Sequence, residues 1–179
     1  MTSDNYVSVM TTKATISDQT LREAAASMDS FIGVVVEAIS ASVGGQLTAE
    51  TMQQLTPDQI TLWGYWLMRE EVMDGGFVQL IHNGYGPFIF LNPFAKAMRL
   101  WGLHDFSKLV YKGREVYEEK RALIERELTD EEFMALYEQL PEFDDLDDAF
   151  LVDEENFTEQ VARYVDEHLT DFVEVGSIN

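Results

Sequence analysis

The stretch from Thr56 to Pro93 constrains the fold of this chain more than any other. It opens Thr56-Pro57-Asp58-Gln59 and continues through Ile60, Leu62, Trp63, Tyr65, Trp66, Leu67 and Met68. Thr56 suits a helix N-cap, where its hydroxyl accepts a bond from an otherwise orphan N–H. Pro57 suits the first helical position, where a missing N–H costs nothing. Apolar side chains then cover nearly every face of the helix, which predicts a buried central helix rather than one with a wet side. Asp74-Gly75-Gly76 supplies a stop, since glycine adopts positive φ at little cost. Phe77, Leu80 and Ile81 resume helical spacing until Asn83-Gly84-Tyr85-Gly86-Pro87. The expectation is a helix, a Gly-Gly elbow, a short helix and a glycine-rich turn, acting as scaffold.

The rest of the chain reads as further helices. From Ser17, Leu21, Ala24, Met28, Phe31, Ile32, Val35, Ile39 and Val43 trace one apolar stripe, ended by Gly44-Gly45. Thr48 to Leu55 predicts a short helix with Thr48 and Thr51 as competing caps. Phe88 to Leu91 reads as a brief extended segment, and Asn92-Pro93 as the start of a helix ending at Gly102. A pattern from His104 or Asp105 reaches Ile124, with Gly113 as a weak point in its middle. Thr129-Asp130-Glu131-Glu132 has the form of a capping box, and Pro141 closes the helix it opens. Glu142 to Glu155 is rich in aspartate and reads as a loop or loose turn. A final helix is expected from Asn156 to Leu169, then a short tail from Phe172 that docks on the core. Strand-period alternation is nearly absent, so the fold class is all-α, with about six to eight helices. Residues 1–16 are expected to be a flexible N-terminus and 17–179 a single helical domain.

Charge divides that domain. The chain has 33 acidic and 12 basic residues, a formal net charge of −21. Residues 1–114 hold 11 acidic and 8 basic residues, a net of −3, whereas residues 115–179 hold 22 and 4, a net of −18. Such a field repels nucleic acid and anionic membranes and attracts basic surfaces. Direct nucleic-acid binding and membrane association are therefore not expected. An apolar content of 46% with 12% aromatics belongs to a globular protein rather than an acidic disordered tail. With no cysteine there is no disulfide, thiolate metal site or cysteine nucleophile.

No catalytic constellation emerges. Gln79, Trp101 and Val165 stand three residues before His82, His104 and His168, so neither a Glu-x-x-His step nor an HExxH pair exists. Gly84-Tyr85-Gly86-Pro87 lacks the lysine and hydroxyl residue of a phosphate loop. Glu70, Glu71 and His82 are the one set from which a carboxylate pocket could be built, against the plainer reading of a charged helix edge and a structural histidine. An EF-hand register from Asp145 would put Phe150 at the obligate glycine and Asn156 at the last ligand, which rejects a calcium hand. No metal and no cofactor is expected.

The acidic residues themselves remain. Carboxylates three and four residues apart on a helix lie about 5–6 Å from each other, comparable to neighbouring phosphates on one DNA strand. Asp144, Asp145, Asp147, Asp148, Asp153, Glu154 and Glu155, supported by Glu118, Glu119 and Glu125, are the candidate partner-binding residues. The plainer alternative is a solvated face that only confers solubility.

The segment from Arg69 to Gly86 resembles the signature of a bacterial family of small all-helical proteins: a glutamate-led helix, Asn-Gly-Gly-Phe, a glutamine two residues on, two aromatics and Asn. Gly75, Gly76, Phe77, Gln79 and Asn83 fit it, while Asp74 replaces the Asn and Leu80-Ile81 the aromatics. The family includes an acidic DNA mimic that binds a helix-turn-helix transcription factor. The resemblance implies a helical, cytoplasmic homodimer in which the five matching residues are structural. Joined to the acidic last third, it implies a non-enzymatic DNA mimic whose partner is a basic DNA-binding protein. An immunity-type inhibitor of a basic nuclease is the alternative.

Overall fold

Short side-chain caps, more than apolar runs, decide where the first helices begin. The structure, a computed structural model, describes residues 14–176. Ser17 Oγ accepts from the Thr20 N–H (3.1 Å) at the start of α1 (Asp18–Ala24). Ser27 Oγ accepts from the Ser30 N–H (3.1 Å) at the start of α2 (Met28–Ser42). The continuous helix expected from Ser17 is therefore two, because Ser27 takes an extended backbone (φ −145°, ψ 153°) to cap the second. Gly44 and Gly45, both with positive φ, end α2 as expected. In the single turn α3 (Ala49–Met52), Thr48 and Thr51 share the capping: each hydroxyl accepts the other's N–H.

The central helix forms as α4 (Pro57–His82). Its start is a capping box that joins Thr56 to Gln59: Thr56 Oγ1 accepts from the Gln59 N–H (3.2 Å) and Gln59 Oε1 from the Thr56 N–H (2.9 Å). Leu62, Tyr65, Met68, Phe77, Leu80 and Ile81 are buried along it. The Gly-Gly elbow breaks it, Gly75 at φ −146° and Gly76 at φ 75°, ψ −177°. The latter is a region that glycine alone occupies.

Pro87–Leu91 is a π-helical turn rather than the extended segment expected. An extended stretch would have needed a partner strand for its N–H and C=O groups, whereas a helical turn satisfies many of its own. α5 (Phe94–Leu100) and α6 (His104–Ile124) follow and pack on each other and on this turn. Gly113, expected to weaken α6, is a seat: a Cβ there would lie 2.7 Å from the Phe90 ring. α7 (Asp130–Gln139) opens with the capping box read from its sequence, Glu132 N–H to Thr129 Oγ1 and Thr129 N–H to Glu132 Oε2.

The largest departure is α8 (Glu142–Glu167), a single 26-residue helix. Residues 142–155, expected as a loop, form its first half, and the final helix does not wait for Asn156. Phe143, Leu146, Phe150, Phe157, Val161 and Val165 are all buried. The Phe106 ring gathers those of Tyr65, Phe94, Phe150 and Phe157, with centroids 5.2–6.2 Å away. Residues Thr61–Glu167 make one compact unit around this aromatic core.

A second unit comprises the described residues up to Ile60 with those from His168. It receives the single turn α9 (Leu169–Phe172), where Phe172 is buried and its carbonyl accepts from Gln59 Nε2 (2.8 Å). The tail then pairs: β1 (Thr15–Ser17) lies parallel to β2 (Glu174–Gly176), Thr15 opposite Glu174. Of the segment expected to be flexible, residues 1–13 lie outside the described residues, while Ala14 and Ile16 are buried. Apart from this short ladder the described fold is all-α, in ten helical segments of which α3, α9 and the π-helical turn are the shortest.

Candidate functional site

Helix α8 sorts its acids by angle. Its buried residues recur at helical spacing from Phe143 to Val165, so the opposite side faces water. Along that outer line stand Asp145, Asp148, Val152, Glu155, Glu159, Arg163 and Asp166, all exposed. Glu142, Asp144, Asp153 and Glu167 flank them and are exposed as well. The nine exposed carboxylates of α8 are spread over about 39 Å of axis, or one per roughly 4 Å. One strand of duplex DNA carries a charge every ~3.4 Å. The helix is thus somewhat sparser than a single strand and of the same order.

Two members of the candidate set are used inside the fold. Glu154 is 7% exposed, forms an ion pair with Arg69 Nε, and accepts from Thr158 Oγ1 (2.8 Å). Thr158 in turn bonds Tyr65 Oη at 2.9 Å. Asp147 is half-buried, and its Oδ1 accepts from the Phe77 N–H (2.8 Å). A Cβ on Gly76 would lie 2.3 Å from Asp147 Oδ2, so the glycine also makes room for this carboxylate. Asp147 therefore caps, from another helix, the helical segment that restarts after the elbow. Burial, with Asp144 and Asp148 adding like charge, pushes its carboxyl up to about 6 against the pull of the Phe77 N–H.

The signature residues meet at the same elbow. Gln79 Nε2 donates to Glu71 Oε2 (3.0 Å) and Asp74 Oδ2 (2.9 Å), and Asn83 Nδ2 donates to Glu71 Oε2 (2.8 Å). Tyr137 Oη on α7 donates to the Gly75 carbonyl (2.7 Å). Phe77 is fully buried. These bonds lash the two halves of α4 across the break and tie α7 and α8 to it.

The acids of α6 differ from those of α8. Glu118 pairs with Arg114 (3.0 Å), Glu119 with Lys120 (3.3 Å), and Glu125 with Arg121 (2.8 Å) and the Tyr117 hydroxyl. Burial and that contact with Glu125 push the Tyr117 hydroxyl pKa up. By contrast, Asp144, Asp145, Asp148, Asp153 and Glu155 have no ion pair or side-chain hydrogen bond among the described residues. The unneutralised members of the candidate set sit on α8.

Glu70, Glu71 and His82 are not gathered into a pocket. Glu71 is held by Gln79 and Asn83, and Glu70 is exposed. His82 donates from Nδ1 to the Ile124 carbonyl (3.0 Å), and its ring lies tilted against that of Phe133. A groove of about 720 Å³ opens beside His82, and its walls include Arg121, Arg126 and Glu125 but neither Glu70 nor Glu71. The histidine caps the end of α6, the structural role weighed for it from sequence.

Two comparisons with known proteins say what the chain is similar to. Residues 53–168 match the family described as DMP19-like protein. A relative described as DNA mimic protein DMP19, from Neisseria meningitidis serogroup B, is 33% identical over 129 residues, covering 71% of this chain and 78% of the relative. The matched region contains the elbow, the aromatic core and all of α8.

Proposed function

The chain belongs to the DMP19-like family, and from that premise we propose that it is itself a DNA mimic, a non-enzymatic protein that occupies the DNA-binding surface of a basic partner and keeps DNA off it. The observation that carries this reading is the set of five unpaired carboxylates, Asp144, Asp145, Asp148, Asp153 and Glu155, fixed on a helix. Charge on a mobile tail would have to be ordered on binding, at an entropic cost that a helix has already met. α8 presents a stiff row whose spacing resembles that of one phosphate strand. Glu154 and Asp147 support the row from beneath, and the paired Glu118, Glu119 and Glu125 contribute only to the long-range field. A helix-turn-helix protein is a fitting partner, and a homodimer is the assembly the resemblance implies.

The test is capture from lysate on the immobilised full chain, followed by elution with duplex DNA. Expected are DNA-binding proteins that duplex releases and that a triple variant, Asp145→Lys with Asp148→Lys and Glu155→Lys, no longer captures. Retention of the same proteins by the triple variant, or their indifference to duplex, would overturn the reading.

A further inference from the structure

Three contacts fasten α8 to α4: Tyr65 Oη with Thr158 Oγ1 (2.9 Å), the ion pair of Arg69 with Glu154, and the Phe77 N–H donating to Asp147 Oδ1 (2.8 Å). Later residues of α4 meet earlier residues of α8, so the two helices run antiparallel. In that register Met73, midway between Arg69 and Phe77, falls opposite the turn of α8 that carries Leu151, between Asp147 and Glu154. Met73 is 48% exposed and Leu151 47%, and Val152 next to Leu151 is 82% exposed. Exposed apolar side chains are ordinary when scattered singly; three brought to one stretch of seam by two helices make a patch. The helix does not ask for them either. Valine is a weaker helix former than alanine, lysine or glutamate, and one so exposed gains little from packing.

The rim of this patch is acidic. Glu70 stands one turn before Met73 on α4, Asp148 one turn before Leu151 and Val152 on α8, and Glu155 one turn after them. All three carboxylates are exposed, and none has an ion pair or side-chain hydrogen bond among the described residues. Such a rim repels an anionic membrane, and two copies paired through the patch would set the same carboxylates against each other. What matches is a basic surface with an apolar residue at its centre. We propose that Met73, Leu151 and Val152 are the apolar anchor of the partner-binding face and receive an apolar side chain that stands among the basic residues of the partner. The proposal rests on the reading of α8 as that face and extends it across the seam to Glu70 and Met73 on α4. Surfaces that read DNA carry such side chains, since the C5-methyl of thymine is recognised by apolar contact while Lys and Arg meet the phosphates around it. The patch plays the part of that methyl among phosphates, and it adds to the charge a contact that salt does not screen.

The probe is a pair of synthetic helical peptides with arginines at steps of three and four residues, one carrying leucine at its centre and the other serine. Each is labelled and titrated with the full chain, and binding is followed by fluorescence anisotropy at several salt concentrations. Expected is about fivefold tighter binding of the leucine peptide, a ratio that holds as salt weakens both peptides together. Met73→Ser combined with Leu151→Ser and Val152→Ser should bring the two peptides level. Val152→Ser alone, at the most exposed of the three positions, should about halve the ratio. Asp148→Asn should weaken both peptides and leave the ratio as it was. Equal binding of the two peptides to the wild type, or a leucine preference untouched by Val152→Ser, would overturn the proposal, and neither result depends on the triple serine variant staying folded. Such a failure leaves the mimic reading standing as long as the triple lysine variant loses its captured proteins. Capture indifferent to duplex DNA, with the leucine preference intact, sinks the mimic reading alone.

Discussion

Asp147 shows how one acidic residue can differ from its neighbours. Asp144 and Asp148 face water, whereas Asp147 is turned inward to the Phe77 N–H at the glycine elbow. Its carboxyl is raised to about 6 from an ordinary 3.8, chiefly by burial. A raised folded-state value means that the group favours the fold most when protonated. That contribution is complete below about pH 4 and is lost as the pH rises through 6. Asn at this position keeps the acceptor and discards the charge. In urea unfolding, Asp147→Asn should therefore gain about 1–2 kcal/mol on the wild type between pH 5 and pH 8, after discounting for partial exposure. A difference between the two proteins that is flat with pH would remove the elbow carboxylate from the account. Glu154 is the companion case, buried and neutralised by Arg69 across 85 positions of sequence. Nothing local to either acid announces its partner, so the sequence could not separate these two from the exposed set.

At the scale of elements, legibility followed the range of the interactions involved. The capping box at Thr129 is written in four consecutive residues and appears as read, and the Thr56 cap appears too, with Gln59 completing a box that was not read from the sequence. The elbow needs only Gly75-Gly76, and it too appears where expected. The first half of α8 was hidden because aspartate is a poor helix former and like charges three or four residues apart repel. The opposing signals were weaker on the page. Phe143, Leu146 and Phe150 are spaced for a helix, and Glu142, Asp144 and Asp145 fall in the first turn, where the helix dipole favours acids. Packing of the apolar side decided the matter, and that depends on rings from α4 to α6. Ala149 is exposed in the middle of this half. Ala149→Pro should cost about 3 kcal/mol or more and lower the far-UV circular dichroism, whereas a true loop would accept it silently. The π-helical turn was missed for a related reason: whether a short apolar run is extended or coiled depends on whether a neighbouring strand is available.

For the molecule as a whole, the distribution of charge carries more meaning than its sum. Eight of the twelve basic residues precede position 115, and on α6 Glu118 and Glu119 pair with Arg114 and Lys120. α8 has Arg163 as its only base and leaves most of its acids bare. Reversing Glu118 and Glu119 to lysine should therefore reduce capture of a basic partner far less than reversing Asp145 and Asp148. The two doublets change net charge equally, so equal losses would mean that only the overall field matters. The short ladder in the other unit has a mechanical consequence. Because β1 enters and β2 leaves in parallel, tension applied to the chain outside them slides one strand along the other. Their few bonds then share the load together rather than parting one by one, so this unit resists being drawn out from its ends better than so small a sheet would if peeled.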